Sequence, residues 1–132
     1  MFNNKRKENI MRKIILIQGR KNAGKSNYIN EKFDELKTNH TIIDIINKGD
    51  WNTVIYILEN NSNEIIILNS GSDSHEIING FGEIINKYPA HIIYTAIRPK
   101  SENPRLYKWM IDALNITTED NVEVIDLEKP EA

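Results

Sequence analysis

The sequence predicts a three-layer α/β/α domain with a mainly parallel five-stranded sheet. Two observations predict it. Short β-branched runs alternate along the chain with stretches whose apolar residues recur every three or four positions. The chain, at 132 residues, has room for one hydrophobic core and not for two, so residues 11–132 form a single domain.

Residues 1–10 are polar and basic with no apolar central run, and they predict a flexible N-terminal extension. The first strand covers Lys13 to Gln18, an apolar run of strand length. Tyr28, Ile29, Lys32, Phe33 and Leu36 then mark one face of a first helix over residues 25–37. Residues 41–46 are almost wholly apolar and β-branched, as a strand covered on both faces would be, with Asp44 as a buried interruption needing a partner. Gly49-Asp50 predicts a turn and helix cap, and Val54, Ile57 and Leu58 the inner stripe of a second helix that fades at Glu59-Asn60-Asn61. Residues 64–69 are the third strand.

Asp73 followed by Glu76 has the spacing of a capping box, and Ile77, Ile78, Phe81, Ile84 and Ile85 share one face of a third helix that Tyr88-Pro89 ends. Residues 91–97 are the fourth strand. A basic, proline-bounded loop runs from Arg98 to Arg105. Asn103 and Pro104 cap and open a fourth helix with Leu106, Trp109, Met110 and Ala113 turned inward, and residues 121–127 make the fifth strand. On sheets of this kind ligands bind beyond the carboxyl ends of the strands, which directs attention to the loops after Gln18, Ile46, Asn69 and Ile97.

Composition excludes several classes. Net charge is −2, so no global basic field points to nucleic acid or an anionic membrane surface. Lys and Arg nevertheless crowd the first part of the chain and carboxylates the end. Cysteine is absent, which removes disulfides and thiolate metal sites and fits a cytoplasmic protein. No run approaches the roughly 20 apolar residues needed to span a bilayer. The abundance of isoleucine and asparagine is that of an AT-rich genome and carries no function.

The loop after the first strand carries the chemistry. Gly19-Arg20-Lys21-Asn22-Ala23-Gly24-Lys25-Ser26 fits G-x-x-x-x-G-K-[ST] at every fixed position, with a strand before it and a helix after it. Glycines allow the tight turn that brings successive N–H groups onto an anion, and the helix start adds its positive dipole end. The stretch resembles the phosphate-binding loop of P-loop nucleoside triphosphatases and kinases. That resemblance implies a P-loop fold and ATP with Mg2+ as cofactors. Gly19, Asn22, Ala23, Gly24, Lys25, Ser26 and Asn27 would bind the nucleotide, Lys25 reaching the β- and γ-phosphates and Ser26 the magnesium ion.

In that family an aspartate at the end of a later strand helps hold magnesium; here the position carries Asn69, and Asp73 lies one turn onward. Ser26, Asn69 and Asp73 are therefore the metal candidates. Arg98 and Arg105 occupy the basic loop from which a kinase lid would leave, where a planar guanidinium can clamp a transferring phosphoryl group. With Lys25 they are the catalytic candidates. The expected function is a small kinase-like phosphotransferase acting on a small-molecule phosphoryl acceptor. The alternatives are an ATPase module and a regulatory domain that retains nucleotide with little turnover. A guanine-reading N-K-x-D motif is missing after the fourth strand, and none of His40, His75 and His91 is assigned a catalytic role.

Overall fold

A computed structural model of the chain describes residues 11–48 and 53–128. The proposed extension over residues 1–10 and the expected turn at Gly49-Asp50 lie outside the described residues. The elements are β1 (Lys13–Gln18), α1 (Lys25–Leu36), β2 (Thr41–Lys48), β3 (Thr53–Glu59), β4 (Ile65–Asn69), α2 (His75–Lys87), β5 (Ala90–Ile97), α3 (Pro104–Leu114) and β6 (Asn121–Asp126).

The strands form one six-stranded sheet in the order β2-β3-β4-β5-β1-β6. Strands β4, β5, β1 and β6 pair in parallel, whereas β2 with β3 and β3 with β4 are antiparallel. This corrects the expected fold class. A mixed six-stranded sheet with three helices among the described residues replaces a mainly parallel five-stranded sheet with four, so the P-loop architecture inferred from the element order does not hold.

The correction turns on residues 53–59. Val54, Ile57 and Leu58 match a helical stripe, but Ile55 and Tyr56 between them are apolar too, and a run with no polar face has no side to give to solvent. The β-branched and aromatic residues suit a strand buried on both faces. Ile55 and Ile57 join the core beneath α2 and α3, while Tyr56 and Leu58 join the core beneath α1. Tyr56 stacks on Phe33 of α1 with ring centres 3.8 Å apart. The asparagines read as a helix fading are a hairpin turn: Asn60 Oδ1 accepts from the N–H groups of Ser62 and Glu64, and Asn63 adopts a positive φ of 64°.

Strand β2 is corrected as well. It is the sheet's edge, not a doubly covered strand, and Ile42, Ile43 and Ile45 are 44%, 41% and 47% exposed. Asp44 is likewise exposed and its Oδ1 accepts the Ile45 N–H. The capping box at the start of α2 shifts by one residue, since Ser74 is the N-cap and its Oγ accepts from Ile77 N. Asn103 and Pro104 open α3 as the sequence predicts. Gly82 lets α2 approach α3, because a Cβ there would lie 3.4 Å from Ala113 Cβ.

At the amino end of β1 a buried ion pair ties the start of that strand to the turn between α3 and β6. Arg12 donates to both carboxylate oxygens of Asp120 at 2.7 and 3.0 Å and to the carbonyls of Leu114 and Asn115 at the end of α3. The opposite, carboxyl end of β1, β4 and β5 carries the site. No described helix is long and apolar enough to cross a membrane.

Candidate functional site

The loop from Gly19 to Ser26 leaves β1 and enters α1 directly, as the strand–loop–helix context requires. Gly19 is buried, its N–H donates to Ile97 O at 3.1 Å, and a Cβ on it would meet Ala23 Cβ at 2.8 Å. Gly24 is the N-cap of α1 with φ 100° and ψ 18°, a conformation that a side chain at this position would resist. Asn22 also has a positive φ, 69°. Ala23 N–H closes the turn onto Arg20 O at 3.0 Å.

The three helices begin differently. α2 and α3 are capped by Ser74 and Asn103 side chains, and α2 has Glu76 in its first turn. α1 has no side-chain cap and no acidic residue in its first turn. Its leading N–H groups and dipole end open instead into a cavity of about 350 Å3 lined by Lys21, Asn22, Gly24, Lys25, Ser26, Asn27, Thr53, Ser70, Gly71 and Asp73. Every lining residue is polar or glycine.

Lys25 is buried, and its Nζ donates to Gly19 O at 2.7 Å and Arg20 O at 2.8 Å. Two carbonyls take two of its three protons, leaving one for another acceptor. Burial lowers the pKa of the ammonium, and neighbouring Arg98 lowers it further, while Asp73, Glu102 and Glu128 pull it back up. Lys25 is therefore a desolvated cation set among opposing charges.

Of the expected nucleotide-binding residues, Asn22, Gly24, Lys25, Ser26 and Asn27 line the cavity, and Gly19 and Ala23 form the turn beneath it. Ser26 Oγ donates to Ser70 O at 3.3 Å, which ties the start of α1 to the loop after β4. Asn69 lies beneath that loop. It is 0% exposed, its Nδ2 donates to Gly71 O at 2.7 Å and Thr95 Oγ1 at 3.0 Å, and its Oδ1 accepts the Gly71 N–H. Asparagine is thus required as donor and acceptor at once, which a carboxylate cannot be. Asn69→Asp is expected to lower stability by about 2–4 kcal/mol by setting a buried carboxylate against the Gly71 carbonyl. Denaturant unfolding checks this as a fall in midpoint at unchanged slope.

Asp73 lines the cavity but its Oδ1 already accepts from Arg98 Nη2 at 2.9 Å and Nε at 3.1 Å. Arg98 is 8% exposed at the end of β5, and its Nη1 also faces Glu102 at 3.5 Å. Arg105 is exposed in the first turn of α3 and does not line the cavity. His75 stacks on Trp109 at 4.2 Å. Thr53, Ser70 and Gly71 are cavity residues that sequence reasoning missed. Ser70 and Gly71 follow Asn69 at the end of β4 and were within reach; Thr53 had no signal once its strand read as a helix.

No group of three or more His, Cys, Asp or Glu among the described residues is arranged to hold a metal. The donors that fit magnesium are the Ser26 hydroxyl and the Asp73 carboxylate. They suffice only as a partial shell completed by a ligand's own phosphate oxygens.

No protein-family model matches the chain, and no curated protein matches it. Among solved structures it is similar to EndoMS in apo form, at 14% identity and a TM-score of 0.39, a likeness too slight to indicate a shared fold. The match covers 80% of this chain and 47% of that one, so the chain spans about half the length of the protein it matches.

Proposed function

We propose that the protein is a nucleotide-binding domain that holds the phosphate chain of ATP, with magnesium, in the cavity at the start of α1. The observation that carries this reading is the uncapped N-terminus of α1 meeting a buried, partly unspent Lys25 inside a glycine turn. Backbone N–H groups, a helix dipole and a desolvated ammonium converge on one polar cavity, and a multiply charged anion complements all three. Magnesium bound there would neutralise phosphate charge and fix the chain's orientation, with Ser26 and Asp73 as its protein donors.

Binding with little turnover fits better than phosphoryl transfer. Arg98 is engaged by Asp73 and Glu102, Arg105 stands away from the cavity, and the cavity's only carboxylate among the described residues is the one paired with Arg98. The phosphotransferase reading keeps one observation in its favour, which is that Arg98 is bonded to Asp73, a residue of the cavity wall. A cytoplasmic location, where magnesium ATP is abundant, belongs to the same reading.

Calorimetric titration tests it with magnesium ATP, magnesium GTP, tripolyphosphate and magnesium chloride alone. The three phosphate ligands are expected to bind and magnesium alone to give no heat, because the protein contributes only a partial shell. Silence with all three phosphate ligands would remove the proposal, and tight binding of magnesium alone would show that a protein-only metal site had been overlooked. Release of ADP is measured in parallel; rapid acceptor-dependent release would favour the phosphotransferase.

A further inference from the structure

Behind Gly19, whose N–H is held by the Ile97 carbonyl, the next two amides of the loop are engaged by carboxylates of the chain itself. Arg20 N–H donates to Glu128 Oε2 at 2.6 Å and Lys21 N–H to Glu102 Oε2 at 3.4 Å. Glu128 is delivered by the residues that follow β6. Leu127 N–H donates to Gln18 O at 2.9 Å, Gln18 Nε2 donates to Asp126 Oδ2 at 3.3 Å, and Asp126 Oδ1 accepts the Glu128 N–H at 2.9 Å. Residues 126–128 therefore run beside the start of the loop as a strap. Glu102 arrives from the other side, ahead of α3, with its second oxygen 3.5 Å from Arg98 Nη1.

Both carboxylates also act on the buried cation, since Glu102 and Glu128 raise the Lys25 pKa against burial and Arg98. A turn built from anion-seeking amides thus carries two anions of its own, placed at its leading edge while Lys21 and Asn22 of the same turn line the cavity.

We propose that Glu128 and Glu102 are built-in competitors of the phosphate chain, an autoinhibitory pair that occupies the Arg20 and Lys21 amides and lowers the positive potential over Lys25. Neither carboxylate lines the cavity, so the competition is between charges: a polyanion beside Lys25 binds against the two already held at the turn. This inference rests on the phosphate-binding reading and adds a control on its affinity. A purely structural role for Glu128, ordering the turn, makes the opposite prediction: removing its charge would loosen the turn and weaken binding.

The test compares the full chain with Glu128→Gln, Glu102→Gln and the double variant, titrated with magnesium ATP and with tripolyphosphate. Glutamine keeps an acceptor for the amide while removing the charge. Binding is expected to tighten about threefold for Glu128→Gln and about tenfold for the double variant, with the gain shrinking at high ionic strength. Unchanged or weaker binding in the variants, where the wild type binds both probes, overturns the competition and leaves the phosphate-binding reading intact. Binding by the double variant alone supports it in its strongest form. If no protein binds either probe, the phosphate-binding reading itself has failed and the competition with it. Amide exchange in the free protein supplies a readout without ligand. Arg20 N–H is expected to exchange faster in Glu128→Ala than in the wild type, and equal rates would show that the strap does not hold the turn.

Discussion

Lys25→Ala is expected to weaken binding of magnesium ATP and of tripolyphosphate by about ten- to a hundredfold, the loss of a charge-assisted hydrogen bond of about 1.5–3 kcal/mol. The fold should survive. Removing the side chain deprives Gly19 O and Arg20 O of a donor, but it also removes a buried ammonium whose desolvation is unfavourable, and the two effects oppose. A dependence on pH separates them. The folded pKa of Lys25 lies below its ordinary value of 10.5, so between the two the unfolded chain holds more protons and Lys25 makes stability rise with pH. Phosphate binding needs the ammonium and runs the other way, weakening across the same window. Denaturant midpoints and titrations at a series of alkaline pH values check both slopes, and Lys25→Ala should flatten each. Equal affinities for wild type and variant would show that Lys25 does not touch the ligand.

The largest effect on stability is expected from Asp120→Ala, about 3–5 kcal/mol. The Asp120 side chain is 0% exposed and receives two of Arg12's hydrogen bonds, so truncation leaves a buried guanidinium with carbonyl partners only. Asp120→Asn keeps acceptor capacity without the charge and should cost less. The pair lies at the amino end of β1, opposite the cavity, so any surviving folded fraction should still bind phosphate ligands. Urea unfolding with and without tripolyphosphate measures both statements. A loss below about 1 kcal/mol would show that the ion pair is not the tie between β1, α3 and β6 that its geometry describes.

The local part of this molecule was legible in its sequence and the global part was not. The Gly19 to Ser26 pattern announced a turn between a strand and a helix because its constraints are local: a buried glycine with no space for a Cβ, and a glycine at positive φ ahead of the first helical turn. Asn103-Pro104 announced the start of α3 for the same reason. Residues 53–59 misled because an all-apolar run satisfies a helical stripe and a doubly covered strand equally, and tertiary burial decided between them. β2 misled in the opposite sense, since its isoleucines read as interior while the sheet ends there. The partners of the site residues were beyond reach. That Asp73 meets Arg98, and that Glu128 meets Arg20, follows from strand order, which periodicity does not encode.

Everything in the proposed function depends on the amides at the start of α1 and Lys25 binding a phosphate chain. Two-dimensional amide spectra of the full chain, recorded as tripolyphosphate is added with magnesium, test it at the residues themselves. Saturable shifts are expected, concentrated at Gly24, Lys25, Ser26 and Asn27, with smaller ones at Ser70 and Gly71, and they should disappear in Lys25→Ala. Spectra that do not change, or shifts confined to surface lysines away from the loop, would contradict that binding.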